Sequence, residues 1–121
     1  MPDNRHEPIL PIPADLYRQT GRLYDRIIEF RDELNRIRSG HFDLADSPQS
    51  LAVDDLGEPI RPIDANSAAL DALDKAEDQL GQVERAVDEA RRFSGRLKLT
   101  DQADQQREGR LARQRRTERT R

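Results

Sequence analysis

The chain predicts an all-α fold: an antiparallel two-helix hairpin with a coiled-coil-like heptad seam and a long interhelical loop, its flank open to a second copy that would complete a four-helix bundle. Three observations predict it. Two stretches repeat apolar residues in unbroken alternating steps of four and three, the signature of a helical seam. Three prolines and Gly57 fall between those stretches and not inside them. Leu, Ile, Val and Phe number 26 of 121 residues while 37% of the chain is charged, so the core must be narrow. A two-helix seam meets that limit, because it needs only about two or three apolar residues per heptad.

Residues 1–13 carry Pro2, Pro8, Pro11 and Pro13. Proline lacks an amide donor and disfavours helix in the residue before it, so an extended arm is expected. The first helix is predicted over about 14–38. Pro13 suits the entrance, and Asp15 suits the positive end of the helix dipole. Its seam is Leu16, Thr20, Leu23, Ile27, Phe30, Leu34 and Ile37, with Tyr17, Tyr24 and Ile28 widening the apolar face. Ser39-Gly40 reads as the stop, with Gly40 in the left-handed conformation. Residues 39–64 contain Pro48, Gly57, Pro59 and Pro62, which exclude a continuous helix. Within them, residues 51–60 read either as a short β-hairpin or as a loop lying on the helices.

The second helix is predicted over about 65–95, with Asp64 or Asn66 as its cap. Its seam is Ala69, Leu73, Ala76, Leu80, Val83, Val87, Ala90, Ser94 and Leu97. An antiparallel return sets Phe30 beside Ala76, Ile37 beside Ala69 and Leu16 beside Ala90, large against small. Leu23, Ile27, Phe30, Leu34, Leu73, Leu80, Val83 and Val87 are therefore the expected core. The hairpin domain closes at about residue 99. Residues 100–121 hold only Ala103, Leu111 and Ala112 as apolar residues, so a disordered or frayed helical tail is expected.

Two helices make a thin core. The flanking residues Tyr17, Tyr24, Ile28, Leu70 and Phe93 are the candidates for further burial, against the arm and loop, a second copy or a helical partner. Charge is unevenly placed. Seven arginines against Glu108 and Glu118 give residues 107–121 a net +5, leaving −8 on the remainder. Arg107, Arg110, Arg113, Arg115, Arg116 and Arg119 are the candidates for contact with a polyanion such as nucleic acid, the seventh being Arg121. No aromatic residue lies among them to stack on bases.

No catalytic, cofactor or metal site is expected. His6 and His41 lie outside the predicted helices and read as solvated loop residues; Ser39, His41 and Asp43 match a catalytic trio by type alone. No glycine-rich phosphate loop occurs, and no small-molecule substrate is evident. The absence of cysteine excludes disulfides and thiolate metal ligation. With no visible signal peptide and no stretch near the roughly 18 apolar residues of a membrane span, a cytoplasmic location is expected. Arg outnumbers Lys by 19 to 2, a codon bias that suggests a bacterial source. The reading is a non-enzymatic helical protein–protein interaction or adaptor module that self-associates. The alternative is an accessory nucleic-acid-binding protein using the basic tail.

Overall fold

A computed structural model of the chain describes residues 9–119. It is all-helical, with no strand among the described residues. Three α-helices follow in order: α1 over Pro13–Ala45, α2 over Pro62–Ser94 and α3 over Asp101–Arg119. A 3-10 turn, Pro48–Ser50, lies between α1 and α2. The first eight residues of the arm, His6 among them, and Arg121 lie outside the described residues.

Contacts divide the chain into two units, one of residues 22–89 and one that includes residues 9–21 and 90–119. Within the 22–89 unit, contact positions fall along α2 as they rise along α1. Tyr24 meets Glu84, Arg31 meets Glu84 and Glu77, Arg38 meets Glu77 and Asp74, and His41 meets Asn66. The line between them is Ile27, Leu34 and His41 on α1, with Asn66, Leu73 and Leu80 on α2. Each set is spaced by seven residues. Ile27, at 6% exposure, is the one buried hydrophobic residue described.

Several expectations change. α1 does not stop at Ser39-Gly40. No glycine has a positive φ, and the helix runs on through Gly40 to Ala45. The added turn is held by a polar contact. His41 Nδ1 and Asn66 Oδ1 share a hydrogen bond of 2.7 Å, and Asn66 Nδ2 donates to the His41 carbonyl at 3.0 Å. His41 is thus a half-buried helical residue, and Asn66 is a buried interior residue and not a cap. α2 starts earlier than expected, at Pro62, whose missing amide costs nothing in the first turn. Before it, Arg61 donates to Asp64, and that carboxylate raises the guanidinium pKa above its ordinary value.

No hairpin forms over 51–60. The segment is irregular, and Leu56 is 87% exposed, so it buries little. Pro59 removes a ladder donor, and two isolated strands would be marginal.

In the other unit, of the two alternatives for the tail, the helical one is seen over Asp101–Arg119. Thr100 caps α3: its Oγ1 accepts from the Ala103 amide at 3.2 Å, and its carbonyl accepts from the Asp104 amide at 2.9 Å. Asp101 and Asp104 lie in the first turn and Arg116 and Arg119 in the last, each favourable to the helix dipole. Arg107 Nε donates to the Leu10 carbonyl at 2.8 Å. Capping, dipole charges and that contact provide what the scarce apolar side chains do not.

Two substitutions test this account. Asn66→Ala should lower stability by about 1–2 kcal/mol, as it strips His41 of its buried partner; chemical denaturation followed by helical content measures it. At Gly81, buried inside α2, a Cβ would meet only the Arg85 guanidinium at 3.7 Å. Gly81→Ala should therefore stabilise the protein, by up to about 1 kcal/mol from helix propensity.

Candidate interaction surface

The 22–89 unit has two unlike edges. One is ionic. Glu84, with its side chain 19% exposed, accepts from Arg31, and Tyr24 donates to it at 3.2 Å. Glu77 accepts from Arg38 and pairs with Arg31 at 3.9 Å, and Asp74 also accepts from Arg38. Helix geometry explains the pairing. On each helix these residues lie four positions on from the central line: Ile27 to Arg31, Leu34 to Arg38, Leu73 to Glu77, Leu80 to Glu84. A step of four turns a side chain about 40° from that line. Two antiparallel helices that face each other carry such like-signed offsets to the same side.

The other edge is apolar and open. A step of three turns a side chain about 60° the opposite way. It leads from Ile27 to Phe30 and from Leu34 to Ile37 on α1, and from Asn66, Leu73 and Leu80 to Ala69, Ala76 and Val83 on α2. Since the four-step rows meet on one side, the three-step rows share the other. There Leu23, Phe30, Ile37 and Leu44 recur every seven residues along α1 and are all exposed, Phe30 at 63%. Phe30 forms an open depression with Arg26, Glu29, Glu33 and Arg36. Beside them on α2 runs an uncharged row, mostly alanine: Ala65, Ala69, Ala72, Ala76, Gln79, Val83 and Ala86. It steps by four and three throughout.

The expected core is thus divided. Ile27 is buried, and Leu34, Leu73, Leu80 and Val87 are half-buried, whereas Leu23, Phe30 and Val83 face outward. The seam as drawn from the sequence is wide enough to include both the central line and the open edge. What it missed is the rotation of the helices about their axes. Arg31 and Arg38, seven residues apart opposite Glu77 and Glu84, carried that information.

The candidate contact residues are dispersed. Tyr24 lies on the ionic edge, and Ile28 and Leu70 are half-buried. In the other unit, the Arg91 guanidinium stands 5.1 Å from the Tyr17 ring centroid. Gly95 allows that ring close, since a Cβ there would lie 3.1 Å from it. Phe93 is exposed. Of the arginine candidates, Arg107 and Arg110 are half-buried on α3, while Arg113, Arg115, Arg116 and Arg119 are exposed.

Ser39, His41 and Asp43 do not form a relay. All three lie on α1, and the His41 ring is turned to Asn66. Among the described residues no group of three or more His, Asp or Glu side chains is placed to hold a metal ion. No helix of those described is long and apolar enough to cross a membrane. No family model, no curated protein and no solved structure matches the chain.

Phe30→Ala gives a direct measure of the open edge. A buried phenylalanine costs about 3–5 kcal/mol on truncation. At high dilution, Phe30→Ala should cost less than about 1 kcal/mol, as at an exposed position; denaturation monitored at the lowest workable concentration decides it.

Proposed function

We propose that the chain is a non-enzymatic helical protein–protein interaction module that self-associates. In this reading the 22–89 unit is an antiparallel helical hairpin with a coiled-coil-like centre, and two hairpins complete a four-helix bundle. The observation that carries it is the shortage of burial. Among the described residues Ile27 is the one buried hydrophobic residue and no large side chain is fully buried, while Phe30, Leu23, Ile37 and Val83 remain exposed. A helix in water depends on packing its apolar face, and most of this face is unpacked in one chain. The uncharged α2 seam supports the same reading, since interface centres are poor in charge.

A second reading rests on α3. Its exposed Arg113, Arg115, Arg116 and Arg119 spiral around the helix end, which suits contact with a polyanion such as nucleic acid through charge and not through base recognition.

Sedimentation equilibrium over a wide concentration range tests the first reading: a reversible dimer is expected, and a monomer throughout would refute it. For the second, Arg→Gln changes at the four exposed α3 positions should abolish a steeply salt-dependent retention on heparin or duplex DNA. Equal, negligible binding before and after the changes removes it.

A further inference from the structure

The geometry points to a specific docking: α1 of a second copy lies along the alanine seam of α2 on the open apolar edge, antiparallel to it, with a two-fold axis running along the helices. This rests on the self-association proposed above and adds its face, its orientation and its register.

Shape and charge select this occupant. The edge is self-complementary in shape, with large side chains on α1 and small ones on α2. A two-fold along the helices sets each large row over the partner's small row, so that one patch serves both subunits. Large against small is the pairing that fills a helix interface without voids. The register follows from the His41–Asn66 contact. Stepping eleven residues back from His41 and eleven on from Asn66 sets Phe30 level with Glu77. A two-fold along the axis keeps those heights. One copy's Phe30 then seats among the partner's Ala72, Ala76 and Gln79. Leu23 falls beside Val83, and Ile37 beside Ala69.

Charge agrees with shape. On α1 the positions alternating with the large residues include Arg26 and Glu33. From Ala65 to Ala86 the α2 seam carries no charge at all. Both signs therefore meet alanine or glutamine, and neither meets its like. A like-on-like pairing of two α1 helices would instead place Phe30 rows against each other and leave the alanine seam in water.

The chain has no cysteine, so single introduced thiols report proximity cleanly. Arg26→Cys and Gln79→Cys, on differently sized tags, leave every large residue of the edge in place. Mixed and oxidised gently, they should form the mixed disulfide well above either homodisulfide. Lys75→Cys, exposed and turned off the seam, should couple with Arg26→Cys far less. In parallel, Ala76→Leu fills the site of the incoming Phe30, and Phe30→Ala removes the anchor. Each should weaken the dimer about thirtyfold or more, the loss typical of a central anchor, with helical content retained. A dimer in sedimentation whose Arg26→Cys/Gln79→Cys pair couples no better than the Lys75→Cys control would overturn the docking while leaving self-association intact. A monomer at every concentration would overturn both.

Discussion

Ile27 stands at the centre of α1, and the arrangement of the 22–89 unit depends on how little apolar surface surrounds it. It alone among the described hydrophobic residues is buried. A core this thin cannot dictate the rotation of two helices about their axes, because hydrophobic burial is non-directional and roughly proportional to area. Directional groups must do so. Asn66 and His41 exchange two hydrogen bonds at one end of the pairing. A single buried amide is a well-attested register device, since any slip strands it without a partner. Along one side, Glu84 and Glu77 hold Arg31 and Arg38. Partly exposed pairs of this kind contribute little stability each. Their effect here is to choose which flank of each helix turns inward.

That choice has a direct consequence for the opposite edge. Closing one edge with charge leaves Leu23, Phe30, Ile37 and Leu44 exposed along the other. Apolar residues that would have completed a core in a larger domain are collected in one row, seven residues apart, beside a row of alanines. An edge of this kind is costly in water and useful for association.

Much of the architecture was legible from residue order alone. The two helical segments follow from the four-three periodicity, the entrance of α1 follows from Pro13, and the break between the helices follows from Pro48, Pro59 and Pro62. Apolar content alone leaves α3 open between a disordered and a helical tail. Its local signals were present in Thr100, Asp101, Asp104 and the terminal arginines, which stabilise helix ends by hydrogen bonding and by charge. The α1 helix continues through Gly40 for a related reason. Glycine permits a stop but does not impose one, and His41 made continuation worthwhile by reaching Asn66.

The candidate surface shows where sequence ends and tertiary structure begins. By itself the sequence determined that two amphipathic helices exist, that they are separated by a proline-rich break, and that their apolar faces are narrow. These are properties of spacing and backbone chemistry within one segment. It did not determine which part of each stripe turns inward. Phe30 and Arg31 flank the same central line by similar angles on opposite sides, so periodicity admits either as the covered neighbour. Only the second helix decides, because Glu77 and Glu84 lie far away in the chain and meet Arg31 and Arg38 only once the helices are paired. The open edge is what remains after that choice.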